Sequence, residues 1–86
     1  MTKLQSETDI APLRAYVTET LLAGQQIADD DELLISGRLD SLAVMSLVSF
    51  VEDTYALSVP FSDVLIENFE SLDAMARYLT GRMSDA

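Results

Sequence analysis

Residues 40–57 read DSLAVMSLVSFVEDTYAL, and this stretch contains the longest apolar-rich segment of the chain. Asp40 ends a polar loop and can cap a helix, which leaves Ser41 in the first helical turn. Backbone N–H groups lack partners at a helix start, and the helix dipole favours negative charge there. A phosphate ester on Ser41 is therefore well placed, and no other residue looks equally suited to carry chemistry.

The segment after Ser41 has two faces when it is drawn as an α-helix. The face predicted to enter the core carries Val44, Leu47, Val48, Val51 and Tyr55. The opposite face carries Leu42, Met45, Ser46, Ser49 and Asp53, with Phe50 at the border. Single exposed apolar residues are ordinary on a protein surface. Next to the acids Glu52 and Asp53, however, Leu42 and Met45 could form a docking patch with the serines of that face.

Two more helices and a shorter one are predicted on either side of this segment. A first helix is predicted from about Asp9 to Ala23, with apolar positions at helical spacing at Ile10, Leu13, Val17 and Leu21. Ser6, Thr8 or Asp9 could cap its start, and Gly24 follows its end. Val59-Pro60 ends the second helix, because the residue before a proline avoids the helical conformation. A short helix or turn is expected around residues 66–69. Ser71 then caps a last helix, Leu72 to Gly81, with Met83 beyond it.

The segment from Gly24 to Asp40 is long for a loop in so small a domain. We expect it to be irregular, with the trio Leu33-Leu34-Ile35 packed on the core and Gly37 in a turn at positive φ. The acids at 29–32 are expected to form a solvated loop. An EF-hand calcium site would need a glycine at its sixth position, which is Leu34 when counting starts at Asp29. Arg38 is an exposed cation that could pair with loop acids or with a phosphate on Ser41.

The length of the chain predicts one domain over residues 1–86, with its core in residues 9–81. The apolar pattern, which shows no strong strand signal, predicts an all-α bundle of three main helices and one short one. Residues 1–7 and 84–86 are expected to be polar tails. The chain has no cysteine and no histidine, so it lacks a thiol of its own and the commonest general base. The sequence shows neither a membrane-spanning run nor the apolar core of a signal peptide. We therefore expect a cytoplasmic monomer.

The chain carries 15 acidic and 5 basic residues, a net charge of −10. Such a charge argues against nucleic acid or an anionic membrane as a partner. It favours basic partner surfaces and fast, salt-sensitive encounters. Solubility alone would also explain it.

The sequence around Ser41 resembles the attachment site of acyl carrier proteins, including peptidyl and aminoacyl carrier proteins. The resemblance rests on Gly37-Arg38-Leu39-Asp40-Ser41-Leu42 followed by an apolar helix, and on Asp31 and Leu34 before the glycine. It continues in Tyr55 and Val59-Pro60, and in Asn68-Phe69-Glu70-Ser71-Leu72. In all it covers residues 9–79.

The resemblance implies that Ser41 carries a covalent 4′-phosphopantetheine arm, transferred from coenzyme A by a phosphopantetheinyl transferase. The arm would supply the thiol that the chain lacks and carry acyl or aminoacyl groups as thioesters. Asp40 and Leu42 are implied to take part in recognition around the arm. Other implied partners are an adenylating ligase or acyltransferase and downstream biosynthetic enzymes. The partner-facing residues expected are Leu42, Met45, Ser46, Ser49, Glu52 and Asp53.

The chain departs from the family in the positions of its acids. Where relatives often carry acids just after the serine, this chain has Ala43 and Ser46, and its acids come later, at Glu52 and Asp53. That departure favours a carrier in secondary metabolism or an aminoacyl pathway over one in fatty-acid synthesis. The alternative from another class is a small acidic helical adaptor without a prosthetic group. A hydrolase with Ser41 as nucleophile is excluded, because the chain has no histidine and no nucleophile-elbow motif. We expect the chain not to be an enzyme.

Overall fold

This computed structural model describes residues 9–84 of the chain. The segments with helical apolar periodicity are helices in it. The elements, in chain order, are α1 (Ala11–Ala15) with a π-helical continuation (Tyr16–Leu21), α2 (Ser41–Tyr55), a 3-10 turn (Phe61–Asp63), α3 (Ile66–Phe69) and α4 (Leu72–Ser84). The described residues contain no strand, and the all-α prediction is confirmed. The candidate caps Ser6 and Thr8 and the predicted tail residues 1–7 and 85–86 lie outside the described residues.

The first helix is two residues shorter at each end than predicted. The Asp9 carboxylate accepts a hydrogen bond from the Ala11 N–H at 3.0 Å, so Asp9 satisfies a free donor at the helix start. The last turns are wide, because the Leu22 N–H donates to the Val17 carbonyl at 2.9 Å, five residues back. The chain then leaves the helix through two residues at positive φ, Ala23 at 54° and Gly24 at 88°. The predicted glycine is thus the second of two left-handed residues.

α2 ends at Tyr55, five residues before Pro60, whereas Val59-Pro60 was expected to end it. Ala56 has a φ of 54° and a ψ of 48°, a left-handed conformation that stops the helix. The Glu52 carboxylate accepts a hydrogen bond from the Val59 N–H at 2.9 Å, which holds the chain after the helix end. The proline therefore lies in the connection and does not decide where α2 stops.

α4 begins where it was predicted, since the Ser71 hydroxyl accepts a hydrogen bond from the Ala74 N–H at 3.1 Å. Its end was predicted wrongly. The helix continues through Gly81 to Ser84, so Met83 is a helical residue. A glycine inside a helix costs about 1 kcal/mol but does not terminate it. Arg82 supports the last turn by donating from Nη2 to the Ser58 carbonyl at 2.7 Å.

The core confirms the predicted helix faces. The most deeply buried side chains come from every helix and from the loop: Leu13, Val17, Leu33, Leu47, Val51, Phe69, Leu72, Met75 and Leu79. Val44 and Tyr55 lie on the predicted core face but are only half-buried. Phe50, predicted at the border, stacks on Tyr16 with ring centroids 4.2 Å apart. Burial of these side chains supplies the main stabilisation of a small bundle.

The loop between the first two helices is irregular, as predicted, but two backbone hydrogen bonds join it to the residues around the start of α4. The Leu33 N–H donates to the Glu70 carbonyl at 2.7 Å, and the Asp73 N–H donates to the Asp29 carbonyl at 2.9 Å. Gly37 has a φ of 83°, as its position in a turn requires. The apolar trio divides, because Leu33 is buried, Leu34 is half-buried, and Ile35 is 76% exposed. The expectation that Ile35 packs on the core is therefore wrong.

Candidate functional site

Asp40 and Ser41 lie at the point where the loop becomes α2. Asp40 is extended, with a φ of −99° and a ψ of −176°, and its Oδ1 accepts a hydrogen bond from the Ala43 N–H at 2.9 Å. This is the N-cap predicted from the sequence. Ser41 is the first residue of the helix and is exposed. Its hydroxyl is therefore open to a partner at the positive end of a helix of 15 residues.

An open groove with a volume of about 590 Å³ lies beside Ser41. One side is lined by the start of α2 and the end of the loop before it, with Leu39, Val44 and Met45. The other comes from the segment before α3 and from α3 itself, with Val64 and Phe69. Among the described residues 9–84, Asp40 is the only charged residue that lines the groove, and Ser41 is the only one with a hydroxyl. The site is thus one exposed serine next to an apolar groove.

The residues predicted to face partners are placed differently from one another. Leu42 is 78% exposed and Met45 is 50% exposed, so both lie on the surface beside Ser41. The polar members of this face, Ser46, Ser49 and Asp53, are exposed as well. Glu52 differs from the rest, because it is half-buried and its Oε2 holds the Val59 N–H. Glu52 thus has a structural contact within the chain, and its role in facing partners stays a prediction.

Three apolar residues on the opposite wall were missed by the sequence reasoning. Phe61 is 84% exposed, and Leu65 and Ile66 are also exposed. All three line the groove. They lie in a short turn and a four-residue helix, where too few residues repeat for a period to separate an exposed face from a buried one. The sequence did contain one signal for an exposed apolar surface here. Residues 61–69 include several large apolar residues but show no amphipathic pattern that would bury them all.

The cation nearest to Ser41 in sequence, Arg38, is engaged with the loop. Its Nη1 lies 3.3 Å from Asp31 Oδ2, so of the two predicted pairings the structure shows the one with a loop acid. The N–H of Ala28, which donates to Asp31 at 2.9 Å, holds the pKa of that carboxyl below its usual value, and Arg38 adds to the effect. An exposed pair of this kind contributes little to stability, because solvent screens it.

The acids at 29–32 were expected to be solvated, but Asp29 and Glu32, like Asp31, accept hydrogen bonds that stabilise the loop conformation. Asp29 accepts two hydrogen bonds from Arg14, at 3.1 Å from Nε and 2.6 Å from Nη2, which joins the loop to α1. The Glu32 carboxylate accepts from the backbone N–H groups of the three residues at 34–36. Partial desolvation raises the pKa of Glu32, but these N–H groups and the charge of Arg38 outweigh it, and the pKa lies below its usual value.

The arrangement offers a nucleophile without a base. A serine hydroxyl needs a neighbouring base to be activated. The chain has no histidine, its only lysine is Lys3, and Arg38 remains protonated in proteins. Asp40 is occupied as a helix cap. Within residues 9–84, the structure therefore presents Ser41 on the surface without a histidine or a lysine beside its hydroxyl.

Comparison with known families places this site within a described domain. The model of a family described as "phosphopantetheine attachment site" matches residues 11–79, which include all of the groove and Ser41. A comparison with curated protein sequences gave no significant match. None of the helices in residues 9–84 is long and apolar enough to cross a membrane.

Proposed function

The chain belongs to the phosphopantetheine attachment-site family, that of acyl and peptidyl carrier proteins, and from that premise we propose that Ser41 is its attachment residue. The family match indicates a carrier with a covalent 4′-phosphopantetheine group. The observation that supports Ser41 is its position, exposed at the first turn of α2 and directly beside the groove. When bound, the group supplies a thiol on a flexible arm, to which an acyl or aminoacyl group is attached as a thioester.

The residues around Ser41 fit such a group. The hydroxyl is accessible, the start of α2 favours a phosphate, and the adjoining groove is lined mainly by apolar side chains. Asp40 fixes the start of the helix and so fixes the position of Ser41. Because its carboxylate repels a phosphate, Asp40 does not bind the phosphate of the arm. Its roles are to cap the helix and to be recognised by the transferase.

Transfer of the arm requires a base and metal that a phosphopantetheinyl transferase would supply. The Ser41 hydroxyl would give its proton to that base, a bond would form between Oγ and the phosphorus that bears pantetheine, and the pyrophosphate P–O bond of coenzyme A would break, so that adenosine 3′,5′-bisphosphate leaves. Leu42 and Met45 are exposed one helical turn or less from Ser41, so they are placed to contact the transferase and later enzymes. Carriers of this family are generally not catalytic, and we propose the same for this chain, acting as one monomeric carrier domain in the cytoplasm.

We further propose a pathway of secondary metabolism or aminoacyl transfer, with an adenylating ligase or acyltransferase as the loading enzyme. The support is the surface beside Ser41. The first eleven residues of α2, from Ser41 to Val51, contain no acid, and the exposed residues there are apolar or serine. A partner that docks on this face meets apolar contacts close to Ser41 and acidic ones only farther along the helix.

The attachment is tested by incubating the chain with coenzyme A, Mg²⁺ and a promiscuous phosphopantetheinyl transferase, followed by intact-mass measurement. The expected result is one added phosphopantetheinyl unit on the wild-type chain and none on Ser41→Ala. Ser58→Ala is the matched control, because Ser58 is an exposed serine outside the predicted partner-facing residues, and it should load normally. An unchanged wild-type mass, with a known carrier loaded in parallel, would favour the adaptor without a prosthetic group.

A further inference from the structure

The groove wall opposite α2 is formed by residues 61–66, which we call the outer wall. Three of its large side chains are exposed, Phe61 almost fully at 84% and Leu65 and Ile66 by about half, at 47% and 56%. Val64 is half-buried against the core. Three backbone hydrogen bonds are internal to this segment: Asp63 N–H to the Pro60 carbonyl at 2.8 Å, Val64 N–H to the Phe61 carbonyl at 3.0 Å, and Leu65 N–H to the Asp63 carbonyl at 2.9 Å. Because these bonds do not reach the long helices and the large side chains are partly open to solvent, polar ties to the helices carry more of the positioning of the wall.

The main polar tie runs from Asp63 to α4. The Tyr78 hydroxyl donates to Asp63 Oδ2 at 2.6 Å. Arg82 Nη1 lies 3.9 Å from the same oxygen, and Arg82 Nη2 donates to the Ser58 carbonyl at 2.7 Å. The Asn68 side chain donates to the Asp63 carbonyl at 2.9 Å, which links the turn to α3. Asp63 is therefore joined to both of the last two helices.

Tyr78 is suited to act as a lasting donor in this tie. Its ring lies against Phe69, with centroids 5.7 Å apart, so its position is fixed by packing as well as by the hydrogen bond. Burial, with the hydrogen bond and charge of Asp63, raises the pKa of Tyr78 to about 12. The phenol thus keeps its proton, and a phenol donating to a carboxylate is a charge-assisted hydrogen bond of the stronger kind.

We propose that Asp63 is a positioning residue that sets the width of the groove beside Ser41 by tying the outer wall to α4 through Tyr78 and Arg82. The Asp63 side chain does not line the groove and acts through Phe61, Val64 and Leu65, which do. The consequence for a carried group rests on the proposed function, because it requires that Ser41 bears the arm. The contacts of Asp63 with Tyr78 and Arg82 are present in the chain without the arm, and they are tested in that form.

The first test measures methyl relaxation dispersion by NMR on the unmodified chain. In Tyr78→Phe and Asp63→Ala, the population of an opened wall, read from Val64 and Leu65, should rise about tenfold, as expected for loss of a hydrogen bond to a charged group. Asp63→Asn keeps an acceptor for Tyr78 but loses the charge that strengthens the bond and pairs with Arg82, so its opened population should lie between those of the wild type and Asp63→Ala. Tyr55→Phe is the matched control, because it also removes a tyrosine hydroxyl bond, to the Asp9 carbonyl at 2.8 Å, outside the groove.

Equal rises in Tyr55→Phe and Tyr78→Phe, or no rise at Val64 and Leu65 in either Tyr78→Phe or Asp63→Ala, would overturn the proposal. The second test uses the holo chain carrying a medium-length acyl group and follows cleavage of the thioester by hydroxylamine. Cleavage should be faster in Asp63→Ala than in Asp63→Asn, and equal rates would contradict the effect on the carried group. If Ser41 accepts no arm, the proposed function fails, whereas the NMR result still decides whether Asp63 positions the wall.

Discussion

At the scale of single residues, Asp40 and Ser41 have different roles at the start of α2. Asp40 accepts the Ala43 N–H at 2.9 Å and so fixes where the helix begins. Ser41 is left exposed in the next position. This part of the site could be predicted from the sequence, because an N-cap bond joins residues three apart and depends on little else in the fold. The role of Glu52 could not, since its partner Val59 N–H becomes available only through the left-handed turn at Ala56.

Replacing Asp40 by alanine should lower the free energy of unfolding by about 1 kcal/mol, because the cap on the Ala43 N–H is lost. Asp40→Asn keeps a side-chain oxygen for the cap and should be close to the wild type in stability. Urea unfolding followed by circular dichroism measures both. Asp53→Ala, an exposed acid of the same helix, is the control. A loss from Asp53→Ala as large as that from Asp40→Ala would show that the effect is one of charge.

Leu42→Ala and Met45→Ala should slow loading by a transferase while changing the free energy of unfolding by less than about 0.5 kcal/mol, because both side chains are largely exposed. Leu47→Ala is the contrasting variant, since Leu47 is fully buried, and it should cost about 2–5 kcal/mol. Loading rates and urea unfolding of the three variants provide the measurement. Normal loading rates in both Leu42→Ala and Met45→Ala would remove these residues from the partner surface.

At the scale of elements, the helices were more predictable than their ends and connections. The buried faces of α2 and α4 follow from a repeat of 3.6 residues, which the sequence displays directly. The end of α2 depends on Ala56 adopting a positive φ, which alanine rarely does and which no local pattern announces. Ile35 shows the same limit, because apolar character alone did not tell which member of the trio would reach the core.

The loop between the first two helices should contribute a pH-dependent part of the stability through Glu32. Because the folded-state pKa of Glu32 is lowered from 4.5, this contribution is present above that pH and is lost as the pH falls below it. Glu32→Gln should lose stability at neutral pH and show a weaker fall on acidification than the wild type. Urea unfolding of both chains at pH 7 and under acid conditions gives the difference. Parallel curves for the two chains would contradict this role of Glu32.

At the scale of the whole molecule, contacts between distant elements decide the shape of the site. The groove beside Ser41 needs the wall at 61–66, and that wall is tied to α4 through Asp63 and Tyr78, fifteen residues apart. The loop is likewise closed by Leu33 N–H on Glu70. Such pairs leave no mark in local periodicity, so the sequence could predict Ser41 and the helices but not the groove or its outer wall.

The charge of the whole chain should appear in the kinetics of its encounters. With 15 acids and 5 bases, the chain attracts basic surfaces over a distance that salt shortens. Loading by a transferase should therefore slow as the salt concentration rises from about 0.05 M to about 0.5 M, mainly through a higher KM. Initial rates at a series of salt concentrations measure the effect. A rate independent of salt would show that apolar contacts around Leu42 and Met45 dominate the encounter.

The most direct test of the account is to locate the arm on the chain. The chain is produced together with a phosphopantetheinyl transferase, digested, and its peptides are sequenced by tandem mass spectrometry. The account predicts phosphopantetheine on Ser41 alone, with the nearby exposed serines Ser36, Ser46 and Ser49 unmodified. A chain without phosphopantetheine, while a known carrier treated in the same way is modified, or phosphopantetheine on any other residue, would contradict it.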